Sequence, residues 1–383
     1  MKLQSIDIKN YKQFTDLTLD LTYPKGHDKE GKPLDKICII GQSGTGKTNL
    51  LKVIRDKLYS TNVKTTFSKD ENSNSEKIYF TLVNDKHINT LANAIRSAHH
   101  NNGDTIKLNE NAWKLLEDTI KNYDIKRLKY RDRLSNKLLN ISDYSKEDFK
   151  REIKEWESKN ENILDNISDK LNSILIKFNL KLHKIDKNQT TYNDLTIEDL
   201  SNGNIIEYNN LSTGTKNLIA TFIPLKIHTP QDSIILIDEP ENSFYPDIQR
   251  ELTDLYMNVG ENNQLIMATH SPLIASSFEP WEVVELKFDE NNQIYRELYY
   301  EGENHVDNYF LNPQLLTWTN ILTQIFDLKE KSNSDIRKDK LIEYVTLKAQ
   351  IRAIDNQDEK IEKAKELHKL SKLLGLGNNE TNI

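Results

Sequence analysis

Lys36-Ile37-Cys38-Ile39-Ile40-Gly41-Gln42-Ser43-Gly44-Thr45-Gly46-Lys47-Thr48-Asn49-Leu50-Leu51 decides the fold. The run from Lys36 to Ile40 is apolar after its first residue, as expected of a short strand buried on both faces. Residues Gly41 to Thr48 then fit G-x-x-x-x-G-K-[ST] in full, and Asn49 to Ile54 continue as an amphipathic helix. Glycines let successive backbone N–H groups wrap anionic oxygens without a Cβ in the way. The helix beginning near Lys47 aims its positive dipole end at the same oxygens. Lys47 supplies a point charge for β- and γ-phosphates, and the Thr48 hydroxyl is a candidate Mg²⁺ ligand. Gly41, Gln42, Ser43, Gly44, Thr45, Gly46, Lys47, Thr48 and Asn49 are therefore the candidate nucleotide-binding residues, with ATP and Mg²⁺ as the expected ligands.

Downstream, Ser233-Ile234-Ile235-Leu236-Ile237-Asp238-Glu239-Pro240 is a second apolar run, ending in two carboxylates. Acids at the carboxyl end of a parallel strand stand where open α/β sheets bind ligands. Asp238 is the second candidate metal residue, and Glu239 the candidate general base for an attacking water. A third run, Gln264-Leu265-Ile266-Met267-Ala268, leads into Thr269-His270-Ser271-Pro272. Residues 233 to 238 and 264 to 269 both read as buried parallel strands.

Asn210-Leu211-Ser212-Thr213-Gly214-Thr215-Lys216 opens a helix shortly before the acidic strand and resembles the signature motif of ABC-type ATPases. Thr213 stands where that family usually has a second glycine. The resemblance implies that Ser212 and the Gly214 backbone cover the γ-phosphate bound to a second subunit. It also implies that His270 is a switch histidine that senses the γ-phosphate and holds Glu239 and the water. Asp238-Glu239-Pro240-Glu241-Asn242-Ser243-Phe244-Tyr245-Pro246 resembles the D-E-P-E-x-x-L-H-P stretch of the OLD, RecF and SMC-like branch, with Tyr245 in the histidine position. Ile6-Asp7-Ile8-Lys9-Asn10-Tyr11-Lys12-Gln13-Phe14 is similar to that branch's N-F-[RK]-x-F strand, which makes Lys12 the candidate basic residue near the nucleotide. No family Q-loop glutamine can be assigned; its place would be near the strand Lys77 to Val83. The likeness covers residues 1 to about 60 and 195 to about 290.

The implied fold is α/β: a phosphate-loop ABC-type ATPase core with a mixed sheet, antiparallel N-terminal strands, a helical insertion and a helical C-terminal region. Leu3, Ile6 and Ile8, then Leu17, Leu19 and Leu21, mark the two antiparallel strands with one buried face. From 104 to 187 glycine and proline vanish and apolar residues recur at helical spacing, as in a helical lid or a short coiled arm. Strand signals resume at Asp194 to Tyr208, with a Ser201-Asn202-Gly203-Asn204 hairpin turn. The expected partition is 1–100 and 188–300 for the two parts of the core, 104–187 for the insertion and 301–383 for the C-terminal helices. Ala364, Leu367, Leu370 and Leu374 mark one helical face there, and a frayed tail is expected from Gly375 onward.

The chain of 383 residues carries a net charge of -7 with 29% charged and 36% hydrophobic residues, enough apolar material for a core and no uniformly basic surface. Its one cysteine, Cys38, excludes an internal disulfide and a cysteine-based zinc site. No run approaches the ~20 apolar residues of a membrane span, so the expectation is a soluble cytoplasmic protein. The charged stretch Lys121 to Arg133, including Lys126, Arg127, Lys129, Arg131 and Arg133, reads as a solvated helix face.

Residues 273 to 326, including Ile274 to Trp281 and Tyr299 to Asp307, look similar to ATPases of bacterial anti-phage systems, among them the Septu type, in which such an ATPase works beside an HNH nuclease. The sequence itself has no nuclease constellation. These likenesses imply an ATP-hydrolysing homodimer with ATP sandwiched between subunits, controlling a separate effector. The alternative is a DNA repair or recombination ATPase of the RecF and SMC kind.

Overall fold

The computed structural model describes residues 1–68, 77–81, 105–108, 112–160, 163–182, 196–328, 335–352, 354 and 356–376. Leu82 and Val83, within the proposed Q-loop region, and the tail from 377 lie outside these. The described chain divides into two compact units, Met1–Ile321 and Leu322–Ile383.

In the first unit, β1 (Lys2–Tyr11) pairs antiparallel with β2 (Phe14–Asp20) on one edge and with β4 (Val63–Ser68) on the other. Leu3, Ile6 and Ile8 are all buried although Leu3 and Ile6 are out of phase for a period of two. A register shift between Leu3 and Ser5 accounts for this, since a bulge returns the next apolar residue to the inner face.

The main sheet has seven strands in the order β13-β12-β3-β11-β10-β5-β6. These are β3 (Lys36–Gly41), β5 (Ile78–Thr81), β6 (Thr105–Lys107), β10 (Ile234–Asp238), β11 (Gln264–Ala268), β12 (Val283–Phe288) and β13 (Ile294–Glu297). Every neighbouring pair is parallel except β12 with β13. All five residues of β10 and all five of β11 are buried, which is why both read as apolar runs, with only Asp238 and Gln264 polar at their ends, rather than as alternating strands. Cys38 fills a buried position of β3, where burial pushes its thiol pKa well up. The mixed α/β class expected from the sequence is the one observed.

Helix α1 (Lys47–Arg55) follows β3. The charged middle of the chain forms α2 (Ala112–Asn140), α3 (Lys146–Lys159) and α4 (Ile163–Leu175). Beyond them β7 (Leu180–Leu182), β8 (Ile197–Asp199) and β9 (Ile205–Ile206) make a small antiparallel sheet, with the hairpin turn between β8 and β9. Helix α5 (Thr213–His228) packs against α2, and the Trp113 ring stacks on Tyr208, 4.8 Å between centroids. The expected solvated face holds at Lys126, Lys129 and Arg133, which are exposed, and fails at Arg127. Arg127 is only 1% exposed and lies 3.4 Å from the buried Asp124 carboxylate one turn back, so the face it shares is packed rather than solvated.

Helix α6 (Pro246–Met257) follows β10, and the short α7 (Pro272–Ala275) follows β11. Residues 301–317 carry two single 3₁₀ turns, and helix resumes only with α8 (Trp318–Gln324), later than the sequence suggests. In the second unit, α9 (Asp335–Arg352) and α10 (Gln357–Leu374) pack through Tyr344, Leu347, Ile351, Leu367, Leu370 and Leu374. Gly375 closes α10 in the left-handed conformation. Among the described residues, no helix is long and apolar enough to cross a membrane.

Candidate functional site

Three parallel strands, β3, β11 and β10, are neighbours in the sheet and end on the same edge, where a ligand site is expected. The first delivers Gly41, the second Thr269 and His270, the third Asp238 and Glu239. Because β11 lies between the other two, α1 reaches past its end for Thr48 Oγ1 to donate to Asp238 Oδ2 at 2.9 Å. The two candidate metal residues, 190 positions apart in sequence, therefore meet.

The loop is built around its lysine. Lys47 is buried, and its Nζ donates to the carbonyls of Gly41 at 2.8 Å and Gln42 at 3.2 Å. Buried Thr45 donates its hydroxyl to Gln42 O at 2.8 Å, closing the turn from inside, while Gln42, Ser43 and Gly44 face solvent. Gly46 is the N-cap of α1 with φ 88°, and a Cβ there would stand 1.9 Å from Gln13 Nε2 and 2.7 Å from the Phe14 ring. Only glycine suits both constraints. Burial pushes the Lys47 pKa down, while Asp238, Glu239 and Glu241 pull it up. A buried ammonium and the open start of a helix fit an anionic guest.

For Mg²⁺ the donor set also fits. Thr48 and Asp238 offer hard oxygen atoms already in contact, and magnesium typically takes one or two protein oxygens beside phosphate and water. Among the described residues, no cluster of three or more His, Cys, Asp or Glu could hold a metal by itself. The ion would depend on the phosphates.

Glu239 has φ 49°, a left-handed backbone that is uncommon outside glycine. Its N–H donates to Ala268 O at 2.8 Å, and its carboxylate accepts from Asn242 Nδ2 at 2.9 Å. Strain of this kind is kept where surrounding bonds over-determine it. His270 is exposed at the end of β11. Burial of its ring and the Lys47 charge lower its pKa, against the opposite pull of Glu241 and Glu239.

Lys12 and Asn49 sit together at the rim. Asn49 Nδ2 donates to Gln13 Oε1 at 2.9 Å, and Lys12 Nζ approaches Asn49 Oδ1 at 3.4 Å. Ser212 is exposed and caps α5, accepting from Thr215 N at 3.2 Å. Gly214 is buried in α5, where a Cβ would lie 2.3 Å from Ser243 O. Its missing side chain thus lets α5 touch the loop after β10 within the same chain. Sequence reading gave no role to Gln13, which wedges beneath Gly46, or to Glu241, whose carboxylate accepts from Thr269 Oγ1 at 2.7 Å and His270 N at 2.6 Å. It also missed Asn242 and Gln249, the latter an acceptor for Ser271 Oγ at 2.6 Å. Glu241 stands inside the quoted Asp-Glu-Pro-Glu stretch, so the signal was present there. Nothing in pattern or motif marks Gln249.

Strand, glycine loop and helix, facing two acids on a parallel strand, define a phosphate-loop nucleotide-binding protein. A family model described as AAA ATPase domain matches residues 56–275, more than half of the chain, and the chain belongs to that family. The matched segment begins just after the phosphate loop and contains Ser212, Asp238, Glu239 and His270. Among curated proteins, none matches this chain. Among solved structures, it is similar to an SMC head bound to the C-terminal winged-helix domain of ScpA, at 13% identity and a TM-score of 0.41, over 78% of this chain and 98% of that one. It is also similar to the SMC head domain from Thermotoga maritima, at 11% identity and a TM-score of 0.39, over 78% and 99% of the two chains.

Proposed function

We propose that this protein hydrolyses ATP at a site completed by a second copy of itself, and that the resulting closure governs a separate effector. The observation that carries the reading is the contact of Thr48 with Asp238, beside buried Lys47 and strained Glu239, while Ser212 stays exposed and bonds only within its own helix among the described residues. One chain thus brings Lys47, Thr48, Asp238 and Glu239 together, which supports the reading of a phosphate loop, a metal pair and a base. The proposed trans residue of the signature motif is left facing outward.

Bound ATP would supply the phosphoanhydride to be cleaved, and Mg²⁺ would neutralise charge between its phosphates. Loop N–H groups and Lys47 hold the phosphates, and Thr48 with Asp238 hold the ion. Glu239 takes the proton of the attacking water, and His270 orients that water against the γ-phosphate. Ser212 and the start of α5 from the partner cover the same phosphate with a second helix N-terminus. The division of labour follows: residues 1–100 and 188–300 form the ATPase core, 104–187 an inserted helical part and 301–383 a C-terminal helical part. The effector is proposed to be a nuclease such as an HNH enzyme in anti-phage defence, with the protein acting in the cytoplasm.

Glu239→Gln tests this directly. The variant should bind ATP as the wild type does, lose at least ~100-fold in turnover, and accumulate as a dimer with ATP on a sizing column. Wild-type turnover in Glu239→Gln would remove the base, and a monomer with trapped ATP would remove the sandwich. A DNA-binding ATPase is the second reading, favoured by exposed Lys126, Lys129 and Arg133 on one face of α2. It requires binding that weakens steeply with salt.

A further inference from the structure

The end of β11 is held by a carboxylate that the reaction scheme does not use. Glu241 Oε1 accepts from the His270 backbone N–H at 2.6 Å, and its Oε2 accepts from Thr269 Oγ1 at 2.7 Å. The same Thr269 hydroxyl accepts from Ser271 N at 2.9 Å, and Ser271 Oγ reaches Gln249 on α6 at 2.6 Å. Thr269 and Ser271 are buried, which shields the bonds their hydroxyls make, whereas the His270 N–H bond to Glu241 lies at the exposed end of the strand. Thr269 N still pairs with Ile39 O in the sheet at 3.0 Å, but the next N–H, that of His270, leaves the ladder and goes to Glu241 instead.

Glu241 follows Glu239 by two residues. The turn that carries both is pinned at Glu239 N to Ala268 O and at Asn242 N to Glu239 O, 2.8 and 3.1 Å. One short turn therefore carries the candidate base and the group that grips the candidate switch histidine.

We propose that Glu241 is a positioning residue, a two-oxygen clamp that fixes where His270 departs from β11 relative to Glu239. The clamp rests on the functional reading of Glu239 and His270 given above. It adds that the two are set against each other by bonds from the turn after β10 to the end of β11, not by independent packing. Geometry does the work: a bidentate carboxylate fixes both distance and direction, which a single hydrogen bond does not. Its charge has a second, separable effect. The groups facing the His270 ring are Lys47, which lowers its pKa, and Glu241 and Glu239, which raise it.

Two variants separate these effects. Glu241→Gln keeps both contacts, with its amide oxygen accepting from His270 N–H and its amide nitrogen donating to Thr269 Oγ1 in reversal of the native bond, but removes the charge. Glu241→Ala removes both. ATP turnover, ATP affinity and the pH profile are measured for wild type, both variants and Glu239→Gln, and hydrogen exchange is followed at the His270 amide. The clamp predicts that Glu241→Ala loses tenfold or more in kcat with ATP affinity within about threefold, and that Glu241→Gln recovers most of kcat. In Glu241→Gln the limb of the pH profile reporting His270 moves to lower pH. The His270 amide exchanges at least about tenfold faster in Glu241→Ala and at the wild-type rate in Glu241→Gln. Unchanged kcat and exchange in Glu241→Ala would overturn the clamp, and so would equal losses in both variants. A loss of ATP affinity matching the loss of kcat would make Glu241 a binding residue instead. Absent turnover in the wild type, or full turnover in Glu239→Gln, would defeat the functional reading alone, because exchange at His270 still decides the clamp.

Discussion

Gly214→Ala sets two roles for one residue against each other. The family resemblance gives Gly214 a backbone contact with a nucleotide on another subunit, whereas the fold gives it a packing role inside its own chain. A Cβ at this position would stand 2.3 Å from Ser243 O and 3.1 Å from the Ser243 carbonyl carbon, both backbone atoms that cannot rotate away. Overpacking costs about 1 to 3 kcal/mol, and a contact this short against main chain belongs at the upper end. Alanine in a helix returns up to about 1 kcal/mol over glycine, leaving a net loss of ~2 kcal/mol. Met1–Ile321 unfolds with an entropy of about 2.1 cal/mol/K per residue, so each kcal/mol shifts its midpoint by roughly 1.5 °C. Calorimetry without nucleotide, at dilutions that keep the protein monomeric, should therefore read a fall of about 3 °C. Binding of an ATP analogue to the monomer should stay within twofold. An unchanged or raised midpoint would refute the packing argument, since helix propensity alone predicts a rise.

Two further outcomes follow from the site and its surroundings. Lys47→Ala removes the buried ammonium that the loop wraps, and ATP should bind at least about tenfold more weakly in equilibrium titration, because bonds to charged groups contribute about 1.5 to 3 kcal/mol. Glu282 is buried beside Lys36, and desolvation pushes its pKa up from 4.5 to about 7. Its folded pKa lies above the unfolded one, so its contribution is fully present below pH 4.5 and is lost as pH rises to 7, amounting to roughly 3 kcal/mol. Glu282→Gln should flatten the stability profile across that window in denaturant titrations, with a gain at pH 8 over wild type. A parallel profile would assign the pH dependence to other groups.

What could be read from the sequence was what local chemistry dictates. Strand β3, the loop and α1 follow from an apolar run, three glycines and an amphipathic repeat that act within a few residues of one another. Strands β10 and β11 were legible because both faces are covered and every residue but Asp238 and Gln264 is apolar. The burial of Arg127 was not legible, because a helix sequence does not say which charged residue a neighbouring helix will cover. The clamp at Glu241 was missed for a similar reason: its partners lie 28 and 29 residues away. Gly214 shows a third limit, since a motif match names a residue without saying which neighbour needs its missing side chain.

The packing of α2 on α5 has a mechanical consequence. With 29 residues at 1.5 Å each, α2 is about 43 Å long, and its Trp113 end stacks on Tyr208 just ahead of Ser212. At its other end Leu139 is 81% exposed, and Ile141 just beyond it is also exposed. A tilt of 5° about the Trp113 end would sweep the far end by about 4 Å over that length.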